Sequence, residues 1–227
     1  MSEQTIQDAP ERYKTSIMVL TLITTIVTSI VAGLQADANI RANNANRDSQ
    51  YYAILASSEV HRTGLQTTYD LNTLTSQSRE AQESLVMQIT SLELQEDGNE
   101  QGVAISDVIA SALQARADKL QAFSIFYTDA RYAPATEDGL PNLEAYLVDV
   151  YDKANELTEK QNAATDAYQE WSSKADSYVG VLTVMAVAFF LFGLAQAAAG
   201  RMRLTFAVFG VVILLGASLW TILILVI

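Results

Sequence analysis

Tyr178-Val-Gly-Val-Leu-Thr-Val-Met-Ala-Val-Ala-Phe-Phe-Leu-Phe-Gly-Leu-Ala-Gln-Ala-Ala-Ala-Gly200 and Leu204-Thr-Phe-Ala-Val-Phe-Gly-Val-Val-Ile-Leu-Leu-Gly-Ala-Ser-Leu-Trp-Thr-Ile-Leu-Ile-Leu-Val-Ile227 are two apolar stretches without a charge, separated only by Arg201-Met202-Arg203. Each is long enough to cross a hydrocarbon core of roughly 30 Å as a helix rising about 1.5 Å per residue. A helix satisfies its own backbone donors and acceptors, the condition for entering lipid. Two spans joined by so short a turn must run antiparallel, so residues 178–200 and 204–227 read as a transmembrane hairpin. Tyr178 and Trp220 fall near the expected membrane–water boundaries, where amphipathic aromatic rings are favoured.

A third block, Ser16-Ile-Met-Val-Leu-Thr-Leu-Ile-Thr-Thr-Ile-Val-Thr-Ser-Ile-Val-Ala-Gly-Leu34, follows a short N-terminal tail, residues 1–15. Its apolar run exceeds the core of about 7–15 residues in a cleaved signal, and no clean A-x-A-like site follows, so it reads as a retained span, 16–34. Arg12 and Lys14 precede this span, and with three spans they share a side with Arg201 and Arg203. Arg41, Arg47 and Lys174 lie on the other. Positive-inside counting, aided by the tight Arg-x-Arg turn, makes the first side cytoplasmic and the middle region extracytoplasmic.

The middle region, residues 35–177, holds 23 of the chain's 26 acidic residues and 10 of its 14 basic ones, a net charge of −13 against −12 for the whole chain. Such a surface repels phosphates, which argues against a nucleic-acid partner. From Leu143 a seam of alternating four- and three-residue steps runs through Leu147, Val150, Ala154, Leu157, Gln161, Ala164, Tyr168, Trp171, Ala175 and Tyr178, the spacing of a coiled coil or bundle. It continues through Leu182, Met185, Phe189 and Phe192, so one helix is expected to enter the second span without a hinge. The first span is expected to continue likewise towards Gly64. Residues 66–96 and 103–132 read as two further helices separated by Asp97-Gly98-Asn99-Glu100-Gln101-Gly102, the latter with a partial stripe of Val108, Ala112, Ala115, Lys119, Ala122 and Phe126. The fold class is therefore an all-α membrane protein: three transmembrane helices with a long helical-bundle or coiled-coil domain between spans 1 and 2.

The inventory for chemistry is poor. With no cysteine there is no thiolate chemistry or disulfide. His61 is the sole histidine and reads as an interface or surface residue. No glycine-rich phosphate loop and no Glu-x-x-His pair is present. The Asp97–Gly102 turn has oxygen side chains at alternate positions, yet a calcium loop needs a glutamate at its twelfth position and Val108 stands there. It reads as a solvated interhelical loop, and Glu137-Asp138 and Asp149-Asp152-Glu156 as solvated faces. No catalytic residue, cofactor or metal is assigned. Thr21, Thr24, Thr25 and Thr28 give the first span a more polar face: either a pore lining in an oligomer, or hydroxyls bonded within the helix and across a helix contact. The second reading is favoured, as it is for Gln196 and the small residues from Ala195 to Gly200. No charge lies inside any span, which weighs against a proton relay.

Two stretches carry a likeness: the first span running into Ala38-Asn39, Ala45-Asn46 and Asp48-Ser-Gln-Tyr-Tyr52 with His61, and the terminal hairpin with its Arg201-Met202-Arg203 turn. Over about half the chain this pattern resembles an uncharacterised family of small bacterial three-span membrane proteins, a domain of unknown function, whose charged coiled coil is shorter than this middle region. The resemblance implies a bacterial inner (plasma) membrane location and supplies no activity. The function expected first is a non-enzymatic membrane scaffold or accessory subunit, a homo-oligomer or part of a membrane complex, assembling through its stalks with the lipid bilayer as its other partner. Behind it stand a sensory input module signalling through a partner and an oligomeric channel lined by the threonines.

Overall fold

In a computed structural model, which describes residues 8–136 and 139–226, the chain is predominantly helical and contains no strand among the described residues. The helices are α1 (Asp8–Glu96), α2 (Glu100–Phe123), the single turn α3 (Ile125–Thr128), α4 (Leu143–Ala197) and α5 (Arg201–Val226). Helices α1, α4 and α5 are each long and apolar enough to cross a membrane. Residues 8–15 of the N-terminal tail already belong to α1; residues 1–7, and the pair Glu137-Asp138, lie outside the described residues.

The chain divides into two compact units, residues 1–51 with 161–227 and residues 52–160. In the first, the start of α1, the end of α4 and α5 pack as three helices. Gln196 Nε2 donates to Thr21 Oγ1 (3.3 Å), the Thr28 hydroxyl to Met185 Sδ (3.5 Å), and the Ser49 and Thr165 hydroxyls share a bond (2.8 Å). Residue numbers descend on one helix as they rise on the other, so α1 and α4 are antiparallel. Two apolar clusters fill the seam: Val31, Ala38, Ala175, Tyr178, Val181, Met185 and Ala217 in one, Ile17, Ala188, Phe192, Ala195 and Leu214 in the other. Gly200, at φ +62°, reverses the chain between α4 and α5 in the left-handed conformation that favours glycine. The Arg203 Nε closes the turn by donating to the Ala198 carbonyl (3.0 Å). Beyond it the Phe192 ring lies over Gly210, so closely that a Cβ on Gly210 would stand 2.7 Å from Phe192 Cε1.

In the second unit, α1 and α2 form an antiparallel hairpin across small residues. Ser84 donates to the Ala110 carbonyl (2.9 Å) and Ser91 to Asp107 Oδ1 (2.6 Å), with Ser106, Ala110 and Ala117 buried on α2. The Asn99 side chain caps α2 by accepting from Gly102 N (3.0 Å), and Gly98 takes a positive φ of 72° in the turn. The start of α4 packs here too: Thr63 on α1 donates to the Val150 carbonyl (3.2 Å), and Phe126, Tyr132 and Tyr146 form a buried cluster.

Three details correct the expectations. Helix α1 passes through Gly64 unbroken, because one glycine costs a long helix only about 1 kcal/mol. The segment expected as one helix over 103–132 ends at Phe123, where Ser124 turns extended (ψ 125°) so that Phe126 can enter the core. Of the expected stripe only Phe126 is buried, against Leu71 and Leu74 of α1; Val108, Ala112, Ala115, Lys119 and Ala122 are exposed, and Ser106, Ala110 and Ala117 are buried instead.

These contacts set opposite signs for two glycine substitutions. Gly210→Ala should cost about 1–3 kcal/mol, because the fully buried Phe192 ring has little room to yield. Gly64→Ala should stabilise by about 0.5–1 kcal/mol, since nothing lies within 4 Å of its Cβ. Thermal unfolding of the full chain in mild detergent, followed by circular dichroism, checks both signs.

Candidate functional site

The seam of α4 is present with a changed start. Leu157 and Tyr178 are buried, and Val150, Tyr168 and Trp171 are half-buried, but Leu143 and Leu147 are exposed. Their place is taken by Tyr146, which periodicity passed over because it lies between two leucines on the expected face. Tyr178 lies inside the seam, as its spacing predicts; Trp220 is exposed, its ring against Gly180. Trp171 stacks under two cations, Arg41 (4.6 Å to the ring centroid) and Lys174 (5.1 Å), just beyond the uncharged stretches of α1 and α4.

The four threonines share one face of α1, which runs from the buried seam to its exposed edge. Thr24 is fully buried and donates to Leu20 O (2.8 Å). Thr21 donates to Ile17 O (2.9 Å) and also receives Gln196, and Thr28 bonds Met185. Thr25, at the exposed edge of this face, donates to Thr21 O (2.9 Å). Three of the hydroxyls therefore meet α4 or fill the seam, and the fourth is satisfied by its own helix.

The most elaborated polar cluster lies in the second unit and includes Asp149, expected on a solvated face. The rings of Phe126 and Tyr132 meet Tyr146 edge-on, at centroid separations of 4.8 and 5.5 Å. The Tyr146 hydroxyl donates to Asp70 Oδ2 (2.6 Å) and the Tyr132 hydroxyl to Asp149 Oδ2 (2.8 Å). Arg131 bridges Asp149 (2.6 Å) and Asp129 (2.8 Å). Burial, and then the neighbouring carboxylate, push both phenols up, Tyr146 to about 12. These phenols are held neutral as donors, and their bonds fasten the irregular segment after α3 and the start of α4 to α1. Farther along α4, Lys160 and Lys153 lower Glu156 to about 2. Asp149 and Glu156 are thus ion-pair partners, not parts of an open ligand set.

Among the described residues no group of three or more His, Asp or Glu side chains could hold a metal ion, and His61 is exposed on α1. No protein-family model, curated protein or solved structure matches this chain. What distinguishes the molecule is the apolar surface left outside its cores. In the first unit Met18, Leu22, Ile26 and Ile30 of α1, Val187 and Phe190 of α4, and Leu204, Val208, Val212, Leu215, Leu219 and Ile222 of α5 are all exposed. In the second, Val86, Ile89, Ile105, Val108 and Ile109 are exposed on the α1–α2 hairpin, and Val86, Met87, Ile109 and Leu113 line a shallow groove of about 550 Å³ edged by Arg79 and Glu83.

The raised tyrosines give a defined alkaline limit. The folded state holds the Tyr146 proton above the phenol's ordinary value of 10. Its contribution is complete below pH 10 and is lost as pH rises from about 10 towards 12, where the unfolded chain binds fewer protons. Tyr146→Phe should cost about 1–3 kcal/mol at neutral pH through loss of the bond to Asp70. It should also flatten the fall in stability above pH 10. Denaturation profiles of both proteins between pH 8 and 11.5 measure this; parallel alkaline slopes would exclude Tyr146 as the responsible group.

Proposed function

We propose that this chain is a multi-pass integral protein of the bacterial inner membrane, acting as a non-enzymatic scaffold or accessory subunit that self-assembles. The observation that carries this reading is the apolar surface left outside both cores. Soluble monomers rarely expose contiguous apolar patches beyond a few hundred Å². Here large aliphatic side chains cover the outward faces of α1, α4 and α5 where no charged residue occurs. Lipid is the solvent that makes such faces favourable, and with residues 16–34, 178–200 and 204–227 in the bilayer no charge is buried in hydrocarbon.

Lipid does not account for the second unit. Residues 52–160 are strongly acidic, yet Val86, Ile89, Ile105 and Ile109 remain uncovered on one hairpin. A helix from a second copy, or from a partner subunit of a membrane complex, would remove that surface from water at about 25 cal/mol per Å². Coiled-coil-like pairing is the mode suggested by the spacing of the apolar residues. The basic residues flanking the first span and in the hairpin turn favour a cytoplasmic location for that end, leaving residues 35–177 extracytoplasmic. The channel reading loses support from the threonine hydroxyls, each of which already has a partner.

Two measurements bear on this separately. The chain should stay in the membrane pellet after an alkaline carbonate wash; release into the supernatant would end the membrane reading. Light scattering in mild detergent should give a protein mass that is a multiple of 24.8 kDa. Val86→Glu with Ile109→Glu should shift it to the single-chain value while leaving helicity intact. A strict monomer before mutation would overturn self-assembly.

A further inference from the structure

One feature of the first unit is a groove between the beginning of α1 and the beginning of α5. It encloses about 690 Å³, within the range of small-molecule sites. Ile17 and Leu20 form one wall, and Leu204, Val208 and Val211 the other. Tyr13, Ser16, Arg201 and Arg203 also line it, at the turn that joins α4 to α5. The groove is carbon along its length and cationic at one end.

The charge is local and runs against the chain's overall balance. The protein carries −12, yet the charged residues nearest the uncharged spans at this end are Lys14, Arg201 and Arg203, with Asp8, Glu11 and Arg12 farther out on α1. Arg203 is half-buried and held to the Ala198 carbonyl, which fixes the turn. Arg201 is exposed at the groove's mouth and forms no ion pair among the described residues. A guanidinium offers a planar fork of donors suited to phosphate. An occupant that satisfies both ends joins a long apolar chain to an anionic group, and in a bilayer the commonest such group is a phosphate.

We propose that this groove is a binding site for an anionic glycerophospholipid of the surrounding bilayer, its phosphate at Arg201 and one acyl chain between α1 and α5. The inference rests on the membrane reading above. Basic pockets between membrane helices on the cytoplasmic side are suited to anionic headgroups, and the positive-inside orientation puts this end there. The bound lipid would cover Leu204 and Val208, whose exposure the protein's own packing does not relieve.

The test uses the full chain purified in mild detergent, with lipids of matched acyl chains, and native mass spectrometry to count what each chain retains. Phosphatidylglycerol should be retained in preference to phosphatidylcholine, at one molecule per chain. Arg201→Gln should reduce phosphatidylglycerol retention about fivefold and leave phosphatidylcholine unchanged. Val208→Trp, at an exposed wall position that tolerates bulk, should reduce retention of both lipids by occupying the groove. Arg41→Gln, on α1 outside the groove, should change neither. Equal retention of the two lipids by the unmodified chain overturns the proposal. So does displacement of phosphatidylglycerol by inorganic phosphate alone, or indifference to Val208→Trp, since either would mean a headgroup contact without the groove. Far-UV circular dichroism checks that each variant keeps its helicity. Release of the chain by the carbonate wash marks failure of the membrane reading, whereas a chain that stays in the pellet but shows no lipid preference marks failure of this one.

Discussion

Close approach of helix to helix through small side chains is the constraint on which the rest of the structure depends. In the first unit Ala38, Ala175, Ala188 and Ala195 lie buried along the contacts of α1 with α4, and Gly210 admits the Phe192 ring between α4 and α5. In the second unit Ser84, Ser91, Ser106, Ala110 and Ala117 do the same for α1 and α2. Between lipid-solvated helices there is no hydrophobic drive to associate, so contact area gained by small residues becomes the attraction. In water the same geometry is a weaker solution, because alanine and serine remove little apolar surface.

That contrast explains where the large residues go. A seam lined largely by small side chains holds few large ones, such as Ile17, Phe192 and Leu214, and most Leu, Ile and Phe side chains are left on the outward faces. For α1, α4 and α5 that placement is favourable if the surroundings are hydrocarbon. For the α1–α2 hairpin, with its acidic surroundings, it leaves Val86, Ile89 and Ile109 with no partner inside the unit. Among the described residues of this unit, the aromatic knot of Phe126, Tyr132 and Tyr146 is the one place where large rings are drawn fully inward. The polar tips of its tyrosines are satisfied there by Asp70 and Asp149.

The sequence was most legible where a single property decided the outcome. Three charge-free runs announce three long apolar helices, and the unbroken spacing after Pro141 announces α4 as one helix from Leu143 to Ala197. The Asp97–Gly102 turn was legible from its glycines and Asn99. Legibility failed where size competed with hydrophobicity. Hydrophobic periodicity selects Val108 for the core, where close packing takes the smaller Ala110; it also selects Leu147, where the neighbouring Tyr146 is held inward by its bond to Asp70 and its ring contacts. The break at Ser124 was equally hidden, since serine and its neighbours carry no breaker signal and the cause is Phe126, held by residues distant in sequence. The tyrosine–carboxylate bonds connect positions 76 and 17 residues apart, a relation that no local pattern contains.

The hydroxyl groups bring these threads together. A hydroxyl lining a water-filled path gains by staying available to water, whereas one buried in a seam must find an acceptor within the protein. Thr24, fully buried, uses the Leu20 carbonyl of its own helix; Thr63 and Ser84 use carbonyls of the facing helices at Val150 and Ala110. The same solution recurs in both units and in surroundings of very different polarity. A threonine or serine is nearly as small as alanine, and its one donor can be spent on a backbone oxygen already within reach. Polar periodicity along α1 is therefore what a closely packed helix pair requires, and it needs no conducted solute to explain it.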